Sequence, residues 1–187
     1  MDKKQLRNET LHTLRMMNQQ QYIERSHQLT TQLLQMPAIQ EANVIAVTIS
    51  AFPEVALQPF IEALWQQQKT VVAPKCDAKT RQMDFYQFTS FDELEQVYLH
   101  LYEPKRIQTN YVSSRQLDVM IVPGVVFSTD GYRIGFGGGY YDRYLPTTTA
   151  TRISVAFEEQ IRPTIPHEAH DCPVQYIVTE RGIIVSS

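Results

Sequence analysis

The sequence predicts a single α/β domain, with a mostly parallel sheet flanked by helices in three α/β/α layers. Three observations predict it. Short apolar runs rich in β-branched residues recur along the chain and read as strands buried on both faces. A helix-patterned segment separates the first two, and the order strand, helix, strand favours parallel pairing. The 187 residues suffice for one compact core and are too few for two ordinary domains.

Residues 2–35 read as helix, with Leu6, Leu14 and Met17 in one stripe, Thr10 filling its gap, and Tyr22, Ser26, Leu29 and Leu33 in a second. The Gln-rich patch Asn18–Gln21 between them marks a break between two helices or a bend in one long helix. Pro37 ends the second stripe. Val44–Ile49 is the first buried strand. Ala56–Gln68 follows as a helix with Phe60, Ile61, Leu64 and Trp65 on one side. Thr70–Ala73 is the next strand, stopped by Pro74. Met83–Phe88 alternates as an extra strand does, and Phe91–Leu99 reads as a short helix. Val119–Val122, entered from Asp118 and left at Pro123-Gly124, is again a buried strand. Ile153–Phe157 and Tyr176–Thr179 follow, and Gly182–Val185 closes a hairpin with the latter. The layering is Rossmann-like, with no internal repeat and no long linker across residues 1–187.

Composition narrows the function. Apolar residues make up 43% and charged residues 20%, ordinary values for a globular protein. The net charge of −3 and pI of about 5.9 lack the basic excess of a nucleic-acid partner. No run of about 18 apolar residues occurs, and Met1-Asp2-Lys3-Lys4 leads into no apolar signal core, so a cytoplasmic protein off the membrane is expected. Cys76 and Cys172 are far apart in sequence and read as reduced thiols. His12, His27, His100, His167 and His170 show no ligand spacing and read as surface or structural residues.

The chemistry is concentrated in Arg133-Ile134-Gly135-Phe136-Gly137-Gly138-Gly139-Tyr140-Tyr141-Asp142-Arg143. Five of the seven glycines fall between Gly131 and Gly139, a concentration that packing rarely needs because glycine costs backbone entropy. Consecutive glycines let backbone N–H groups converge on an anion, and a helix start at Tyr140–Leu145 would add to the same field. Arg133 offers a bidentate cationic fork for phosphate, and Asp142 a hard oxygen for Mg²⁺. Cation, amide nest and metal ligand within ten residues suit phosphoryl transfer. No Lys follows the glycines as in a phosphate loop, and the spacing is not that of a dinucleotide-binding turn.

This string resembles the signature of the 5-formyltetrahydrofolate cyclo-ligase (methenyltetrahydrofolate synthetase) family. The resemblance extends to Lys3-Lys4-Gln5-Leu6-Arg7, Ser50–Val55, Glu103-Pro104 and Asp171–Glu180. It implies an ATP-dependent ligase that closes 5-formyltetrahydrofolate to 5,10-methenyltetrahydrofolate through a phosphorylated formyl group, with ADP and phosphate released. ATP and reduced folate are then the partners, Mg²⁺ the cofactor, and a monomer the expected state. The resemblance assigns ATP to Lys3, Lys4, Gln5, Leu6, Arg7 and Arg133 through Tyr141, with Arg133 catalytic. It assigns folate to Ile49, Phe52, Glu54, Gly138, Gly139 and Tyr140. It assigns the metal to Asp142; the partner carboxylate of some members aligns with the neutral Gln175, and Asp171, four residues earlier, reaches the site only if its loop bends inward.

Overall fold

The computed structural model describes residues 1–98, 101–105 and 110–186. The N-terminal pattern resolves into two helices, α1 (Lys3–Arg15) and α2 (Gln19–Gln35). Asp2 caps α1 reciprocally with Gln5: its carboxylate accepts the Gln5 N–H at 2.8 Å, and the Gln5 side chain accepts the Asp2 N–H at 3.0 Å. Asn18 caps α2 through the Gln21 N–H, so the break lies at residues 16–18, at the start of the Gln-rich patch. Pro37 ends α2 and also opens a short third helix, α3 (Pro37–Glu41), because its missing N–H costs nothing at a first helical position.

Strand β1 (Val44–Ala46) leads through a loop to α4 (Gln58–Gln66), shorter at both ends than its apolar pattern. At the start, the Ala56 N–H is taken by the Ser26 hydroxyl; at the end, Gln68 turns to a φ of 61°. Strand β2 (Thr70–Cys76) runs straight through Pro74, contrary to the expectation that Pro74 stops it. Its ladder to β1 ends at Val72, so nothing on that side demands a donor from Pro74, while β3 (Met83–Gln87) pairs antiparallel on the other side as far as Cys76.

The expected helix at Phe91–Leu99 is absent. Phe91–Glu93 makes one 3₁₀ turn and the chain continues into a hairpin, β4 (Leu94–Tyr98) with β5 (Leu101–Pro104); Leu99 lies outside the described residues. Leu94, Glu95 and Gln96 pair in register with Pro104, Glu103 and Tyr102, the register shifts before Tyr98, and these partners on β5 override the helical reading.

The remaining elements are β6 (Tyr111–Val112), β7 (Val119–Ile121), β8 (Val126–Ser128), β9 (Arg133–Ile134), α5 (Tyr140–Tyr144), β10 (Thr151–Val155), β11 (Ile161–Arg162), β12 (Tyr176–Thr179) and β13 (Gly182–Val185). The main sheet has the order β13-β12-β10-β7-β1-β2-β3-β6. Its five central strands are parallel, and β13 and the β3-β6 pair are antiparallel edges. The Asp118 carboxylate accepts the N–H groups of Asn43 and Val44, both at 2.9 Å, and so fixes the start of β1 beside that of β7.

The two faces are covered unequally. Leu29, Leu33, Ile39, Phe60 and Leu64 from α2, α3 and α4 pack on one, with Ile45, Val71 and Ile153 of the sheet. Phe85, Met120, Leu145 and Ile177 make the other core, roofed by Tyr140, Tyr141 and Tyr144 of α5. Each fully buried Leu, Ile or Phe contributes about 1.5–3 kcal/mol. A second sheet, β11-β8-β9, projects Arg133 from β9, where Phe127 pairs with Arg133 and Val126 with Ile134. The result is an α/β domain whose strands β1, β2 and β7 end at one edge, where such sheets place ligands. No helix among the described residues is long and apolar enough to cross a membrane.

Candidate active site

A cleft of ≈ 440 Å³ lies at that edge. The whole run from Arg133 to Asp142 lines it, together with Lys3 and Arg7 of α1 and Cys76 at the end of β2. Lys3 and Arg7 are four residues apart, so one face of α1 presents both. Lys4, Gln5 and Leu6 do not line the cleft. Lys4 is exposed, Gln5 is used in the helix cap, and Leu6 packs against the Val125, Val126, Ile134 and Ile165 cluster.

The glycine loop is held by its neighbours. The Arg7 Nε–H donates to the Gly135 carbonyl at 2.6 Å. Gly139 caps α5 at φ 72°, a conformation that favours glycine. Because α5 has only five residues, its dipole is small.

Arg133 is 6% exposed. It donates to the Cys172 carbonyl at 2.7 Å and to Asp142 Oδ1 at 3.1 Å. Asp142 Oδ1 also accepts the Cys172 N–H at 3.1 Å, which leaves Oδ2 outside these bonds. The guanidinium has five N–H donors, so two bonds to the protein still leave some for a ligand.

Asp171, which the sequence argument set aside, is on the cleft wall with Asp142, because its loop turns inward. Its Oδ2 accepts from Lys3 Nζ at 3.3 Å and from the Glu168 N–H at 2.8 Å. Burial works against its charge, but these two donors hold its carboxyl below the ordinary carboxylate range. Gln175 is not on the wall: its Oε1 accepts the Arg152 N–H at 2.5 Å at the start of β12. No group of three metal-type ligands occurs among the described residues. Two carboxylates beside a glycine-rich loop fit Mg²⁺, which takes few protein ligands and shares the rest with phosphate and water. Cys76 lines the cleft wall, its thiol pushed up to about 12 by burial and the nearby Glu103 charge.

Glu54 lies in a separate narrow cavity with Ser50, Pro123 and Gly124. Pro123 also lines the main cleft, so the two adjoin across that residue. Ser50 leads on to a third cavity of ≈ 410 Å³, lined by Ile49, Phe52, Tyr22 and Tyr102. Burial pushes the Glu54 carboxyl up to about 7, against a weak opposing bond from the Ala51 N–H. Tyr141 has a fully buried hydroxyl with no partner among the described residues; burial first, then the nearby Cys76, raises its pKa well above the ordinary phenol range. Such an orphaned donor suits a bound oxygen. Gly138, Gly139 and Tyr140 stay on the main cleft, where Arg81 sits 5.8 Å from the Tyr140 ring. A further hollow of ≈ 510 Å³ at the β2–β3 turn shares Cys76 with the cleft and none of the glycine loop.

The model of the 5-formyltetrahydrofolate cyclo-ligase family matches residues 1–180. The chain belongs to that family. It is 29% identical over 189 residues to the mouse 5-formyltetrahydrofolate cyclo-ligase, covering 95% of this chain and 93% of the mouse protein. The cyclo-ligase of Escherichia coli strain K12 is 31% identical over 169 residues, covering 88% and 93%. The NMR structure of Aquifex aeolicus 5,10-methenyltetrahydrofolate synthetase superposes with a TM-score of 0.87 at 28% identity, covering 99% of this chain and 93% of that one. The Mycoplasma pneumoniae synthetase gives 0.78 at 25% identity, covering 96% and 99%. The cyclo-ligase fold expected from the sequence is therefore the fold observed.

Sequence reasoning set Asp171 aside from this cyclo-ligase site and did not place Pro123, Cys76, Leu101 or His170 on its wall. Asp171 lies in a segment already singled out, Asp171–Glu180, but the inward turn of its loop is not written in the spacing. Pro123 and Cys76 carry no chemical signal and are found only by where their strands end.

Proposed function

We propose that this chain catalyses the ATP-dependent closure of 5-formyltetrahydrofolate to 5,10-methenyltetrahydrofolate. One observation supports the reading beyond family membership. The anion-binding cleft and the Glu54 cavity adjoin at Pro123, so a phosphate donor and a folate can meet there.

The formyl oxygen is a poor leaving group. In the proposed sequence it attacks the γ-phosphorus of ATP, the bond to the bridging oxygen breaks, and ADP leaves. The formyl carbon now carries a phosphate ester. N10 of the folate attacks that carbon, the carbon–oxygen bond breaks, phosphate departs, and the N10 proton is lost to solvent or phosphate. Arg133, Arg7 and Lys3 oppose the charge of the phosphates, and the loop amides orient them. Glu54 accepts hydrogen bonds from the pterin, and Ile49 and Phe52 form the apolar wall beyond it. Asp142 and Asp171 would hold Mg²⁺, which when bound neutralises phosphate charge.

The test is nucleotide turnover. ADP should form in the presence of 5-formyltetrahydrofolate and stay at background with tetrahydrofolate, which has no formyl oxygen. Equal ADP formation with both would contradict the reading.

A further inference from the structure

The Glu54 loop is anchored from outside the site. After Val47, whose N–H still donates to Val72, the chain leaves the sheet and rejoins regular structure only at α4. Within the loop, the Glu54 N–H donates to the Ala51 carbonyl at 2.9 Å and the Leu57 N–H to the Ser50 hydroxyl at 3.2 Å. These bonds shape the loop but do not fix it to the domain. Among the described residues, two hydrogen bonds do, and both come from α2. The Tyr22 hydroxyl donates to the Glu54 carbonyl at 2.6 Å, and the Ser26 hydroxyl accepts the Ala56 N–H at 3.1 Å. Tyr22 and Ser26 are four residues apart and share one helix face.

The Tyr22 ring is itself held. Phe52 packs edge-on at 5.0 Å between centroids and Phe157 at 6.1 Å, both geometries that aromatic pairs prefer. Burial, then the nearby Glu54 charge, pushes the Tyr22 phenol up to about 12, so it remains a donor at any working pH. The bonded carbonyl belongs to the residue that bears the carboxyl, so restraining that peptide restrains where the carboxyl points.

We propose that Tyr22, assisted by Ser26, is a positioning residue for the folate site: from α2 it sets the place of the Glu54 main chain and so aims the Glu54 carboxyl at the substrate. The proposal rests on the reading of Glu54 as the pterin contact. It takes Tyr22 out of the purely structural core, where its place in the apolar stripe of α2 had put it. Displacement of a binding group by about 1 Å can cost as much as 10²-fold in rate, so a single bond of this kind matters to function more than to stability.

The experiment is Tyr22→Phe, which keeps the ring and both aromatic contacts and removes only the hydroxyl. Loss of one neutral hydrogen bond should raise KM for 5-formyltetrahydrofolate by about five- to tenfold. KM for ATP should stay within about twofold of wild type by the same scale, and Ser26→Ala should shift the folate KM in the same direction. In a Glu54→Gln background, Tyr22→Phe should add less than about twofold, because the group it aims is already altered. An unchanged folate KM, an equal rise for ATP, or full additivity with Glu54→Gln would each overturn the proposal. If the wild-type protein binds folate without turnover, the proposed reaction fails, while the same ratios read as dissociation constants still decide the role of Tyr22.

Discussion

Replacing Arg133 by lysine separates the structural from the catalytic share of one side chain. The guanidinium is nearly buried and spans two acceptors, the Cys172 carbonyl at 2.7 Å and Asp142 Oδ1 at 3.1 Å. A lysine ammonium has no planar fork and reaches one of them at a time. One charge-assisted bond lost costs about 1.5–3 kcal/mol. Asp142 is 27% exposed and water screens part of that, so the low end applies, about 1.5 kcal/mol. In a chain of this length that lowers Tm by about 3–6 °C. Catalysis should suffer more, because the fork acts on charge that develops during transfer: removing one such contact costs about 10²–10³ in kcat. The assay is phosphate release with both substrates saturating, beside a thermal melt of the same sample. A folded Arg133→Lys protein with unchanged kcat would refute the argument, and so would a rate loss explained by the unfolded fraction.

Three further outcomes are expected. The folded state favours protonated Glu54, whose carboxyl is raised from the ordinary range to about 7, so its contribution to stability falls as pH rises through that window, by about 3 kcal/mol in total; Glu54→Gln should therefore melt higher than wild type at pH 8 and alike at pH 4, and identical pH slopes would contradict this. Asp142→Asn and Asp171→Asn should each raise the Mg²⁺ concentration for half-maximal rate, whereas Gln175→Asp should leave it unchanged because that side chain is spent on the Arg152 N–H; a lowered requirement in Gln175→Asp would return it to the metal site. Gly131 has φ 95°, and a Cβ there would lie 2.4 Å from the Val174 carbonyl oxygen, so Gly131→Ala should cost at least about 2 kcal/mol in a denaturant melt; a smaller loss would mean that the segment carrying Val174, before β12, yields easily.

The sequence carried the parallel core well, because Val44–Ala46, Val71–Ala73, Val119–Ile121 and Tyr176–Val178 are short apolar runs buried but for Val44 and Tyr176, which are half-buried. It failed where tertiary partners decide. Phe91–Leu99 reads as a short helix, but pairing with β5 makes a strand of Leu94–Tyr98. Pro74 was read as a stop by a rule that holds only where both strand edges are paired. The two-residue strands β6, β9 and β11 are too short for any period to show.

The site divided in the same way. The glycine string and Arg133 announce themselves by composition. By contrast, Asp171 enters through a loop path that spacing does not encode, and Lys3 and Arg7 separate from Lys4 only once the helix phase against the cleft is known. Tyr22 reads as core in sequence because its ring is packed and its hydroxyl bond is long-range.

The most direct test of the account is the near-ultraviolet absorbance of methenyltetrahydrofolate, which the formyl substrate lacks. Protein, Mg–ATP and 5-formyltetrahydrofolate together should give a rise in that band matched one to one by phosphate release, and omitting any one of them should abolish both. Folded protein that binds both ligands yet produces neither signal would contradict the assignment.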